Sequence, residues 1–220
     1  MKKPIIFCDF DGTITNTDNI IAIMKKFAPP EWEQLKDQVL SQAIPIQEGV
    51  SKMFALLPSA SRKEITEYIL EHAEIREGFE EFVAFLKEQG IPLYIVSGGI
   101  DFFVEPLLDG LVSKEQIYCN KADFSKERIN IVWPYTCDEK CEYDCGCCKP
   151  TLIRKLAKQT DFKIVIGDSI TDLQAAKLAD KVIARDFLVE KCKELEITHT
   201  PFHSFFGVIE SLKKEVVTNA

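Results

Sequence analysis

The chain has 220 residues, 46% hydrophobic and 28% charged, with only 10 Gly and 10 Pro. That composition fits one globular domain, or one domain carrying an insert, and excludes disordered, collagen-like and low-complexity classes. The formal charge is −8 and no block of Lys or Arg occurs, so nucleic acid is not an expected partner, and a bound phosphate needs a local device to hold it.

The first predicted strand is Lys3–Cys8, a short apolar run stopped by Asp9-Phe10-Asp11-Gly12. Lys2 and Lys3 imitate the start of a signal peptide, but the apolar run ends at Asp9, short of the roughly 7–15 residues such a core needs. No stretch approaches the roughly 18 apolar residues of a membrane span. A cytoplasmic protein with reduced thiols and no membrane partner is expected.

Between Asn19 and Ile75 no segment reads as a strand. Pro29-Pro30 opens one helix, Pro45 opens another, and Ser61-Arg62-Lys63-Glu64 reads as a capping box ahead of Ile65, Tyr68, Ile69 and His72. Four short helices are predicted here, placed to act as a lid.

Further strands are predicted at Leu93–Gly99, Ile164–Asp168 and Val182–Ala184, separated by helical patterns at Phe79–Gln89, Thr151–Lys158, Asp172–Leu178 and Phe187–Leu195. Ile117–Phe124 and Arg128–Trp133 read as a β-hairpin. Alternation of this kind predicts an α/β fold, with a parallel sheet covered by helices on both faces and ligands bound at its carboxyl edge. The expected division is a core of residues 1–16 and 76–220, carrying the hairpin and a cysteine-rich loop at about 116–148, and a helical cap of residues 17–75.

Asp9 and Asp11 lie two residues apart just past a strand, so both can reach one small site. One carboxylate can attack phosphorus, and the other, held protonated, can serve the leaving oxygen. Solvated acids in an ordinary turn are the plainer reading. Ser97-Gly98-Gly99 follows another strand and offers a hydroxyl and backbone N–H groups to phosphate oxygens. Lys149 opens a helix, where its charge opposes the helix dipole, a local cost that favours a role. Asp168 and Asp172 follow a third strand, and with Asp9 they form an oxygen-rich set suited to a hard divalent cation such as Mg²⁺.

These four elements, in this order, resemble the haloacid dehalogenase superfamily of phosphatases. The resemblance implies a Rossmann-like core with a small helical cap inserted after the first strand. It implies that Asp9 is the nucleophile and a metal ligand, and that Asp11 is the general acid/base with its backbone carbonyl on the metal. Ser97, with Gly98 and Thr13, would bind phosphate; Lys149 would neutralise it; Asp168 would hold Mg²⁺ with support from Asp172.

The helical insert looks like the cap of phosphoserine-phosphatase-like members, and Asp18 falls near their acidic substrate-binding position. Met53 stands where those enzymes carry an arginine for the substrate carboxylate. A thioether cannot pair with a carboxylate but packs against apolar or sulfur-containing tails. Plain cap core is the alternative reading of Met53. The whole chain further resembles members acting on a small enol phosphate with a methylthio tail. Phosphoserine and phosphoethanolamine or phosphocholine esters are the rival substrates, and a non-catalytic phosphate-ligand sensor is the rival class. Monomer and homodimer stay open.

Cys137, Cys141, Cys145, Cys147 and Cys148 offer enough thiolates for a structural Zn²⁺ site. A reduced loop of free thiols with no metal is the plainer reading of that spacing, and a redox-sensitive loop beside Lys149 is a third.

Overall fold

A computed structural model describes residues 2–141 and 145–218, with side chains described as far as residue 214. Residues 142–144 of the predicted cysteine-rich loop lie outside the described residues.

The first strand, β1 (Lys3–Cys8), is followed by four helices: α1 (Asn19–Phe27), α2 (Glu31–Leu40), α3 (Ile46–Ala55) and α4 (Arg62–His72). Next come α5 (Phe79–Gln89), β2 (Leu93–Ile100), α6 (Asp101–Leu107), β3 (Ile117–Asp123) and β4 (Asn130–Val132). The chain continues through α7 (Lys149–Leu156), β5 (Asp161–Gly167), α8 (Leu173–Ala176), β6 (Lys181–Ala184), α9 (Asp186–Glu194), β7 (His199–Pro201) and α10 (Phe205–Thr218).

The seven strands form one sheet in the order β4-β3-β2-β1-β5-β6-β7. All neighbours run parallel except the β3–β4 hairpin. β1 is central because both of its faces are apolar. Ile6 and Cys8 belong to one buried cluster and Ile5 and Phe7 to another, the period-2 alternation of a strand covered on both sides. Cys8 pairs with Ile95 of β2 and with Ile166 of β5, so the carboxyl ends of three strands lie side by side.

The four helices after β1 leave and re-enter the sheet region through two adjacent chain segments. Asn16 donates its N–H to Glu74 O at 2.9 Å, and Arg76 donates its N–H to Ile14 O at 2.7 Å. The hairpin grips the far side of this insert: Ile129 N–H donates to Leu57 O at 3.1 Å and Ser59 N–H to Glu127 O at 2.9 Å. No helix among the described residues is long and apolar enough to cross a membrane.

Three details differ from the sequence reading. Ser61 sits in helical backbone and its side chain makes no capping bond, because a 3-10 turn at Ser59–Ser61 runs straight into α4. A true capping box instead joins Ser169 and Asp172. Short edge strand β7 and helix α10 were not anticipated. Phe205 at the start of α10 packs its ring 4.9 Å from Phe82 and 5.0 Å from Phe79, closing the core over α5.

Candidate active site

Asp9 is the first residue past β1, and its N–H still donates to Ile166 O at 2.9 Å. That bond extends the β1–β5 ladder by one residue and holds the Asp9 carboxyl beside the end of β5, where Asp168 stands. Gly12 turns the chain with φ of +76°, and a Cβ there would lie 2.5 Å from Asp168 Oδ2. Only glycine permits that approach. Thr13 donates its hydroxyl to Asp168 Oδ1 at 2.7 Å, tying the first loop to the fourth motif.

Lys149 is 5% exposed at the first turn of α7, followed by Pro150, whose fixed φ suits that position. Its ammonium lies 2.8 Å from Asp9 Oδ1 and also pairs with Asp172. Burial alone would push Lys149 down, but the charges of Asp172 and Asp9 outweigh it and hold the ammonium above its usual range. They also offset its unfavourable place at a helix N-terminus. Asp172 is 1% exposed, and its second oxygen accepts from the N–H groups of Asp168 at 3.1 Å and Ser169 at 3.0 Å.

Oxygens of Asp9, Asp168 and Asp172 all lie within 4.8 Å of one another. Three carboxylates against one lysine leave surplus negative charge in a desolvated place. Burial, followed by the charge of Asp172, pushes Asp9 well above the carboxylate range even with Lys149 alongside, and the same two causes push Asp168 up to about 7. A hard divalent cation fits this set, since its donors are all oxygen and their charge is undercompensated.

Asp11 faces a different environment. Asn19, 1% exposed at the start of α1, donates to Asp11 Oδ1 twice, from its backbone N–H at 3.0 Å and from Nδ2 at 2.7 Å. Oδ2 is turned toward the Ser97-Gly98-Gly99 segment, 2.8 Å from where a Cβ on Gly99 would sit. Burial, then the charge of Asp18, pushes Asp11 up to about 7 against those two hydrogen bonds. A carboxyl held near neutrality can both give and accept a proton.

Ser97 is fully buried, and its Oγ accepts from Gly99 N–H at 2.9 Å. Gly98 is exposed in the same irregular last stretch of β2, where the pairing to β3 shifts register, and its carbonyl is held by Asn120 Nδ2 at 2.8 Å. Asp18 caps α1 by accepting from Ile21 N–H at 3.0 Å. Met53 is 4% exposed in α3, inside the apolar cluster that also holds Phe54 and Phe102.

Two residues went unnoticed in the sequence. Asn19 looks like a first-turn helix residue. Arg76 is 8% exposed and donates to three carbonyls of the first loop: Thr13 at 2.7 Å, Gly12 at 2.9 Å and Thr15 at 3.1 Å. A lone arginine after an apolar residue carries no sequence signal for such a clamp.

The thiol cluster also differs from expectation. Cys137, Cys141, Cys145 and Cys148 bring their sulfurs within 4.8 Å of one another, and Cys147 is not among them. Cys147 turns inward to an apolar cluster, with its Sγ 3.5 Å from Tyr118 O, because consecutive residues at the entry to α7 point in opposite directions.

A sheet with acidic groups at its central carboxyl edge, a buried lysine on the next helix and a helical insert after β1 defines a known class of hydrolase. The family described as haloacid dehalogenase-like hydrolase matches residues 6–177, and the chain belongs to that family. It is 63% identical over 213 residues, 97% of each chain, to the 2-hydroxy-3-keto-5-methylthiopentenyl-1-phosphate phosphatase of Geobacillus thermodenitrificans strain NG80-2. It is 58% identical to the protein of that name from Bacillus velezensis strain DSM 23117 / BGSC 10A6 / LMG 26770 / FZB42, over 94% of this chain and 88% of that one. Among solved structures, a substrate-bound phosphoserine phosphatase complex superposes with a TM-score of 0.73 at 20% identity, covering 96% of this chain and 99% of that one, a likeness of fold.

Proposed function

We propose that this chain hydrolyses a phosphomonoester through an aspartyl-phosphate on Asp9, and that its substrate is 2-hydroxy-3-keto-5-methylthiopentenyl-1-phosphate, released as the acireductone of methionine salvage. The observation that carries the reaction is the convergence of Asp9, Asp168 and Asp172 on the buried Lys149. The substrate rests on the 63% identity over nearly the whole of both chains.

Asp9 attacks phosphorus in line, and the ester P–O bond breaks as Asp11 gives its proton to the leaving oxygen. Asp11 then takes a proton from the water that attacks the aspartyl-phosphate, which frees inorganic phosphate and restores Asp9. Lys149 and Ser97, with Gly98 and Thr13, hold the phosphoryl oxygens where charge accumulates. Asp9, the Asp11 carbonyl and Asp168 would hold Mg²⁺, with Asp172 orienting Lys149 and the 168–169 amides behind them. When bound, the cation supplies positive charge that lets an anionic carboxylate approach an anionic phosphate.

Residues 17–75 act as a cap over this edge, hinged at the paired segments around residues 16 and 75. Asp18 sits at its entry beside Asp11. Met53 contributes from behind, filling the apolar layer of the cap that a methylthio tail would meet. The setting we assign is the cytoplasm, a compartment in which its free cysteines would stay reduced.

A panel of esters tests this reading with Mg²⁺ present or chelated. The methylthio enol phosphate should give the highest kcat/KM, phosphoserine and phosphocholine far lower values, and chelation should abolish all turnover. Preferred hydrolysis of phosphoserine would overturn the substrate, and metal-independent turnover would overturn the mechanism.

A further inference from the structure

We infer that Cys137, Cys141, Cys145 and Cys148 form a tetrathiolate Zn²⁺ site, separate from the carboxylate centre, that fixes the entry to α7.

Removing Cys147 from the set changes what the spacing says. The four convergent residues read C-x₃-C-x₃-C-x₂-C, so Cys145 and Cys148 form the short C-x₂-C pair that recurs in structural zinc sites. The distances agree. A Zn–S bond of about 2.3 Å gives a regular tetrahedron sulfur–sulfur edges of about 3.8 Å. Cys141 Sγ and Cys145 Sγ lie 3.8 Å apart, and all four sulfurs fit within 4.8 Å. A disulfide needs about 2.05 Å, and it would use only two of the four.

The surroundings suit bound thiolates. Cys145 N–H donates to Cys137 Sγ at 3.3 Å, and the Thr151 hydroxyl donates to Cys148 Sγ at 3.0 Å. Asp138 holds this arrangement from outside. Its N–H donates to Thr151 Oγ1 at 3.0 Å, and its carboxylate takes a two-pronged bond from Arg154, Nε at 2.8 Å and Nη2 at 2.5 Å. Donors of this kind orient metal ligands in known sites. Cys137, Cys141 and Cys145 are half-buried, so an ion has a path in, and Cys148 is buried.

The site joins parts that the sheet does not hold. Cys148 precedes Lys149 directly, and Cys145 O accepts from Gln47 Nε2 of α3 at 2.7 Å. An ion here ties the loop after β4 to the first turn of α7 and to the helical insert. Binding converts four thiols to thiolates and releases four protons, which makes loading pH-dependent.

The test is metal analysis of the full chain, purified without chelator or immobilised metal. We expect about one zinc per chain. Replacement by Co²⁺ should produce the sulfur-to-cobalt charge-transfer bands and intense visible absorption of a tetrahedral tetrathiolate. Cys137→Ser and Cys145→Ser should lose the metal, while Cys147→Ser should keep it. Zinc-free protein with Cys137, Cys141 and Cys145 reactive, or a Cys141–Cys145 disulfide found by peptide mapping, would overturn the proposal. So would a cobalt spectrum lacking thiolate bands, or loss of metal from Cys147→Ser equal to that from Cys137→Ser. A Cys137→Ser variant that fails to fold leaves the stoichiometry and the cobalt spectrum of the parent chain as the deciding readouts.

Discussion

Two clusters of acidic groups flank Lys149, and they are built by opposite means. The carboxylates arrive from the ends of β1 and β5, far apart in sequence and brought together by strand register. The thiols all come from one connection between β4 and α7. Ladder bonds and buried aliphatic side chains fix the first cluster before any ligand arrives, so it can hold surplus charge in readiness. The second has no ladder beneath it, and its order depends on side-chain ties such as Arg154 to Asp138. Long-range assembly suits chemistry that needs fixed geometry against mutual repulsion; a local loop suits a cross-link.

Substitutions sharpen that contrast. Asp9→Asn should lower kcat by about ten-thousand-fold or more, with the fold intact by circular dichroism, since the proposed nucleophile has no substitute. Comparable activity in that variant would remove the carboxylate cluster from the chemistry.

Asp168→Asn should lower kcat/KM by about a hundredfold or more and, without metal, raise the melting temperature at about pH 8. The sign follows from its carboxyl being pushed up to about 7 in the fold. Below the unfolded value of about 4, both states carry the proton and Asp168 costs nothing. As pH rises toward 7 the unfolded chain ionises freely while the folded one resists, so the penalty grows and is complete above about 7. The gain from Asn should therefore vanish near pH 4. A fall in melting temperature at high pH would show that Asp168 is already compensated.

Asn19→Ala should cost about tenfold in kcat. With Asp11 near 7, activity that needs its proton falls as pH rises through that value. The Asn19 Nδ2 bond opposes the upward push and the backbone N–H bond survives in alanine, so losing the side-chain bond should move the falling limb to higher pH. A loss of activity with no movement of that limb would make Asn19 merely structural. Met53→Leu, a volume-conserving change in a buried layer, should cost less than about 1.5 kcal/mol in stability by urea unfolding and leave KM nearly unchanged. A large KM effect would place Met53 in direct contact with substrate.

Much of the sheet was legible because its strands are short apolar runs stopped by Asp or Gly, as at Cys8-Asp9 and Gly167-Asp168. The four helices of the insert were marked by prolines and by the absence of β-patterning. β7 escaped because His199-Thr200-Pro201 is polar, short and paired on one side. The Ser-x-x-acid spacing of a capping box occurs at both Ser61 and Ser169, and only backbone geometry separates the box at Ser169 from the uncapped Ser61. Asp9, Asp11, Lys149 and Asp168 are legible as candidates through their position at strand and helix ends. Asn19 and Arg76 act through bonds to Asp11 and to loop carbonyls that exist only once the chain has folded. Cys147 was grouped with its neighbours because sequence proximity cannot tell which side of the backbone a thiol occupies.

The proposed reaction turns on Asp9 becoming phosphorylated. Turnover of a radiolabelled phosphomonoester, stopped in acid within the first cycles and mapped by peptide, tests this directly. The expected result is an acid-stable, hydroxylamine-labile phosphoryl group on the peptide carrying Asp9. Rapid turnover with no protein-bound label, or label on any other residue, would contradict it.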